Sequence, residues 1–322
     1  MNRYLTLAKR EYWENRGGFL WAPLVTGAIF IGLSVMAVLV AELAIGRANI
    51  QLGTLRLGDA LPSLDGNARL MFGLGIDGLI LQVMSLIGFV FAIVVFFYCL
   101  SALYDERRDR SILFWKSLPV SDGETVLSKV FSAGVTAPLF ALGTAIATSL
   151  GLLLLLTLYL ALRGTGLAAL VWTESHLIRI FLTMLAAIPA FVVFALPTIG
   201  WLLLCSAWAR TKPLLWAVLL PVGAGILVAW FGLMQSLSLP SAWFWKNVVA
   251  RVLLGTWPGN WISFDIFRQL KNASGPEMLV TLIGPGTPLA ALADPAPWIA
   301  AAAGAGMIWL AIRLRRQREL AD

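Results

Sequence analysis

Six runs of apolar residues, each long enough to cross a bilayer, decide what this chain can fold into. They lie near residues 19–43, 79–103, 127–160, 178–208, 214–237 and 296–314. A membrane-crossing helix needs about 20 mostly apolar residues, because hydrocarbon offers no partner for an unpaired backbone N–H or C=O. The expected fold is therefore an all-α integral membrane protein with six transmembrane helices. The third and fourth runs exceed the minimum, which permits tilt or protrusion without fixing an angle. Composition agrees, with 59% hydrophobic and 13% charged residues, against roughly 25% charged in soluble domains.

The Lys and Arg residues that flank the runs set orientation. One side carries Arg3, Lys9, Arg10 and Arg16, then Arg107, Arg108, Arg110, Lys116 and Lys129, then Arg210 and Lys212, and finally Arg313, Arg315, Arg316 and Arg318. The opposite side holds Arg47, Arg56, Arg69, Arg163, Arg179, Lys246, Arg251, Arg268 and Lys271, spread over longer loops. The first side is expected to be cytoplasmic, with both termini there. The net charge of +7 is then topological, a matter of lipid and orientation, and no nucleic-acid partner is expected.

Residues 1–18 read as an interfacial amphipathic helix. Met1, Tyr4, Leu5, Ala8 and Tyr12 share about 100° of a helical wheel, with Arg3, Lys9, Arg10, Glu11 and Glu14 elsewhere. Gly17-Gly18 is the expected bend into the first span, which is too long for a signal-peptide core and is expected to stay as an anchor. Residues 19–314 form the six-span domain, with a cytoplasmic loop at 104–124 and outer loops at 44–78 and 238–295; 315–322 is a basic cytoplasmic tail. The second outer loop begins with an apolar stretch at 243–254, expected as short helices on or dipping into the outer interface, and turns at Trp257-Pro258-Gly259-Asn260. Most of the fourteen tryptophans flank the spans, as an aromatic belt requires. Cys99 and Cys205 lie inside apolar runs and read as buried hydrophobes.

Ion-coupled carriers keep ionisable groups near mid-membrane, and this chain shows almost none. Glu42 and Lys129 sit at span ends, where side chains snorkel to the interface. No Gly-x-x-x-x-Gly-Lys-[Ser/Thr] loop occurs, so the chain lacks the usual means of binding ATP. Asp77 and Asp105 would lie about 42 Å apart along one helix and cannot form an aspartyl-protease pair. His176, the single histidine, reads as a solvated loop residue, and no metal-ligand spacing accompanies it.

The loop after Leu103 is the one region these exclusions leave with a role. Asp105, Glu106 and Asp109 alternate with Arg107, Arg108 and Arg110, and Glu106 and Arg110 stand at helical i, i+4 spacing. Ser111 to Leu118 then forms a short apolar helix, stopped by Pro119, with Ser121 or Asp122 as the cap of the next helix. Its exposed Ile-Leu-Phe-Trp turn fits either a linker lying in the headgroups or a partner-docking helix. Here the sequence resembles the permease subunits of ABC-2 type (type V) ATP-binding cassette exporters. Their second cytoplasmic segment carries a pattern close to Glu-Arg-x-x-Gly-Thr-hydrophobic-x-x-Leu-x-x-Ser/Thr-Pro-hydrophobic-Ser. Glu106-Arg107, then Ile112, Leu113 and Trp115, then Ser117-Leu118-Pro119-Val120-Ser121 follow it in order. Departures are Arg110-Ser111 in place of Gly-Thr and Leu118 inserted before the proline.

The resemblance implies a permease in the inner membrane of a bacterium, working with a second permease copy or a related permease among membrane lipids. It implies a separate cytoplasmic ATPase, which would hold the ATP and Mg; no cofactor is expected in this chain, and no enzymatic activity. Ile112, Phe114, Trp115 and Leu118 would pack into the ATPase, with Arg107, Arg108, Arg110 and Lys116 at its rim. The coupling set is Glu106, Arg107, Arg110, Ile112, Leu113, Phe114, Trp115, Leu118 and Pro119. Two other functions stay open: an ion-coupled secondary carrier, and a membrane enzyme or sensor without an ATPase.

Overall fold

The structure, a computed structural model, describes residues 3–47, 66–109, 120–163, 167–233, 241–262, 284 and 286–318. Every element among the described residues is helical. Six stretches are long and apolar enough to cross a membrane: Gly17–Leu43, Gly66–Arg108, Asp122–Leu162, Leu167–Trp208, Pro213–Trp230 and Pro295–Gln317. Five cover an apolar run whole and Pro213–Trp230 covers most of the fifth run, which makes the chain a multi-pass membrane protein.

Helix α1 (Arg3–Glu14) passes through a π-helical turn (Gly17–Trp21) into α2 (Ala22–Arg47). At the Gly17-Gly18 pair, where a bend was expected, the helix widens into the π turn, and a Cβ on Gly18 would meet Val94 at 2.9 Å. Next come α3 (Gly66–Ser101) and the short α4 (Tyr104–Arg108). Helix α5 (Asp122–Phe131) runs through a second π turn (Ser132–Thr136) into α6 (Ala137–Leu162). The Ser121 hydroxyl accepts from Glu124 N–H while the Glu124 carboxylate accepts from Ser121 N–H, a capping box that selects Ser121 as the cap. Helices α7 (Leu167–Thr173), α8 (Leu177–Trp208) and α9 (Pro213–Leu233) follow. A broken helix of α10 (Ser241–Phe244), a third π turn (Trp245–Val249) and α11 (Ala250–Leu254) precedes α12 (Gly286–Ala290) and α13 (Pro295–Arg318).

Helices α3 and α8 form the centre. Ile80, Val83, Ile87 and Val95 interlock with Leu153, Ile180, Phe191, Ile199, Leu202 and Leu203. The tightest crossing joins α8 to α13. A Cβ on Gly200 would lie 2.4 Å from the Gly304 carbonyl oxygen, and one on Gly304 would lie 2.6 Å from the Leu196 carbonyl. Small residues allow such approach where no hydrophobic force draws helices together. Helix α2, by contrast, lies almost wholly on the outside.

Three sequence expectations change. Helix α3 begins at Gly66, so residues 66–78 are helix where a turn-rich outer loop was expected. One glycine there acts as a packing residue: a Cβ on Gly73 would sit 2.5 Å from the Glu174 carbonyl oxygen. His176 is held: its N–H and Nδ1 both lie 2.8 Å from the buried Asp77 carboxylate. The 241–262 segment enters the bundle deeply. Thr198, about 15 Å along α8 from Trp208, donates to the Arg251 carbonyl (2.7 Å) and accepts from Gly255 N–H (2.9 Å). That contact carries Arg251 into the bundle, where its Nη1 donates to the Ala296 carbonyl at 2.8 Å. The expected turn at 257–260 is present, with Gly259 at φ 76°.

Candidate functional site

Helices α1 and α13, the first and last among the described residues, reach the same face of the bundle, where α4 ends and α5 begins. Ion pairs link α1 to α5 and α13 to α4 and α5 there. The cluster they form is largely buried. Glu11, Lys129 and Arg315 are 1%, 3% and 5% exposed.

Each member faces inward for a local reason. On α5, Val126, Lys129 and Ala133 follow i, i+3, i+7 and are all buried, so Lys129 stands on the core face. On α1, Leu7 and Glu11 are one turn apart and both buried, so the core-facing stripe includes a carboxylate. Tyr12 beside it stacks on Phe140 with centroids 4.6 Å apart. These positions overturn two expectations, a snorkelling Lys129 and a solvent-facing Glu11.

Lys129 Nζ lies 3.0 Å from Glu11 Oε1 and 2.9 Å from Glu106 Oε1. The second Glu11 oxygen accepts from the Tyr98 hydroxyl at 2.8 Å. Glu106 Oε2 pairs with Arg315 Nη1 at 2.7 Å, and Arg315 Nε reaches Asp122 Oδ1 at 3.2 Å. Three carboxylates thus share two cations and a phenol across α1, α3, α4, α5 and α13. Desolvating such charges is costly, and the pairing offsets it only while every partner stays in place.

Glu106 and Arg107 point in different directions. Arg107 donates to the Ser206 and Ala209 carbonyls, the latter at 2.9 Å, which places a cation on the C-terminus of α8. Ser206 Oγ in turn accepts from Leu103 N–H (3.0 Å) and Tyr104 N–H (2.9 Å) at the start of α4. The first stem of the loop is therefore docked on α8 by backbone, side chain and charge together.

Of the expected coupling residues, the structure brings Glu106 into the cluster and Arg107 onto α8. Arg110, Ile112, Leu113, Phe114, Trp115, Leu118 and Pro119 lie outside the described residues. Glu11, Tyr98, Asp122, Lys129 and Arg315 join the site without having been singled out for it. The legible signal was Lys129 at helical spacing from apolar Val126 and Ala133.

The far face is built from separate pairs. Glu42 accepts from the Tyr159 hydroxyl at 2.7 Å and pairs with Arg163, and both charged partners are more than a third exposed. Asp77 meets His176 as described. Among the described residues no group of three or more His, Cys, Asp or Glu is placed to hold a metal ion. Both cysteines are free and buried. Comparison of the chain with family models, curated proteins and solved structures finds no match.

Proposed function

We propose that the chain is the permease subunit of an ABC-2 type exporter, which forms the path across the cytoplasmic membrane as a dimer and is driven by a separate cytoplasmic ATPase. The observation that carries this reading is that one guanidinium grips both stems of the 110–119 loop. Arg315 pairs with Glu106, four residues before the loop, and with Asp122, just after it. Through Lys129 the same cluster takes hold of α1. A force on the loop is thereby delivered to the first and last helices together, which is what a partner ATPase needs in order to drive a rigid-body change. A linker merely resting in headgroups has no use for so many buried charges. In this reading the cluster-bearing face is cytoplasmic, α1 lies along the inner interface, and ATP and Mg belong to the partner.

The test is affinity purification of the full chain from its native membranes in mild detergent, beside a Phe114→Ala, Trp115→Ala variant. The wild type is expected to bring down a nucleotide-binding protein that the variant loses. Recovery of none by the wild type, or equal recovery by both, overturns the proposal.

A further inference from the structure

The membrane-exposed faces of this protein differ in kind. Helix α2 exposes Val25, Ile29, Leu33, Met36, Leu39 and Leu43, and α9 exposes Leu215, Leu219, Ile226 and Leu227. These side chains suit lipid. Helix α3 also exposes Leu79, Leu86, Ile93 and Phe97, but a second stripe of another kind runs beside them. Gly75, Gly78, Gln82, Ser85 and Phe89 are all exposed and follow one another at +3, +4, +3, +4, the spacing of a two-helix seam. A Cβ on Gly75 or Gly78 would meet nothing within 4 Å, so the notch they form is open. Among the described residues no hydrogen bond reaches the side chain of Gln82 or Ser85.

Depth makes that exposure costly. Asp77, beside His176, and Tyr98, in the ionic cluster, bracket 21 residues of α3. That span is about 32 Å, the thickness of the hydrocarbon layer. Gln82 is about 7 Å and Ser85 about 12 Å inside its far boundary. A primary amide facing acyl chains has lost water and gained nothing.

We propose that this seam is where a second copy of the chain packs, α3 against α3, about a two-fold axis along the membrane normal. The amide is self-complementary: at equal depth the oxygen of one Gln82 accepts from the amide of the other. Glycines one turn outward admit close backbone approach, and small residues with polar cross-links hold membrane helices together. Phe89, edge-on to Trp257 at 5.0 Å, closes the inner end of the seam. Beside it a cleft of about 390 Å³, bordered by Phe30, Gln82, Ser85, Leu86, Trp257 and Pro258, opens toward the axis, so two copies would enclose a shared space. The inference names the face used by the dimer of the proposed exporter and does not need the ATPase.

The test is oxidative cross-linking of single-cysteine variants in membranes, in the full chain carrying Cys99→Ala and Cys205→Ala. Gly78→Cys, Gln82→Cys and Ser85→Cys are expected to form covalent dimers, whereas Leu33→Cys and Leu219→Cys, equally exposed, stay monomeric. Separately, Gln82→Leu should lower the dimer fraction in detergent several-fold while Gln82→Asn retains most of it. Cross-linking through Leu33→Cys or Leu219→Cys but not the seam overturns the proposal. So does Gln82→Cys that stays monomeric yet reacts with a small maleimide, which would mark a cargo or water cleft. The assay contains no ATPase, so its failure leaves the coupling reading standing, and failed ATPase capture leaves the seam standing.

Discussion

The two ends of the bundle hold their charges in opposite ways. At the terminus-bearing face five charged side chains from four helices, α1, α4, α5 and α13, share one largely buried cluster, in which every member but Asp122 has two partners. At the far face Glu42 meets Arg163 in the open, and Asp77 meets His176 with only the carboxylate buried. A shared buried cluster makes the helices that enter it mechanically dependent on one another. Exposed pairs leave their helices independent, because water replaces either partner at little cost.

That contrast is sharpest in Lys129→Ala, which strands Glu11 without a cation and leaves Glu106 with Arg315 alone. Loss of about 3–5 kcal/mol is expected, read as a fall in the thermal midpoint of the detergent-solubilised protein; a change under about 1 kcal/mol would mean that water already enters the cluster. Asp77→Ala is intermediate. It removes a charged acceptor from the backbone N–H and ring of His176, at about 1.5–3 kcal/mol, and hydrogen exchange should speed at the α7–α8 corner while the terminal cluster stays protected. Arg163→Gln is the smallest, because water replaces either exposed partner of Glu42–Arg163 with little loss. Its effect should shrink further in high salt. A larger loss there than at Lys129 would erase the distinction between the two faces.

Much of this was legible in the sequence, and the reason is solvent. Hydrocarbon forces runs of apolar residues into helices, so the six spans announce themselves, and a cap such as Ser121 with Glu124 is a local event written in adjacent residues. The charged cluster is long-range: Glu11, Lys129 and Arg315 come together only after the helices pack, and a charge near a span end reads as an interface residue until its partner is known. Residues 66–78 read as part of a turn-rich loop because glycine marks both a bend and, as at Gly73, a close approach. Likewise the depth of the 241–262 segment depends on Thr198 receiving it, which no periodicity within that segment reveals. The docking role proposed for Arg110 to Pro119 comes from the sequence pattern, since those residues lie outside the described ones.

The Gly200–Gly304 contact limits how such a protein can change shape. With backbone against backbone and no side chain between them, α8 and α13 have no room to slide or roll past each other. They constitute the stator of the molecule, and Arg315 at the end of α13 plants the loop stems on it. Under the proposed function, the rearrangement that opens a path is taken up by other helices, swinging about a spine that stays fixed.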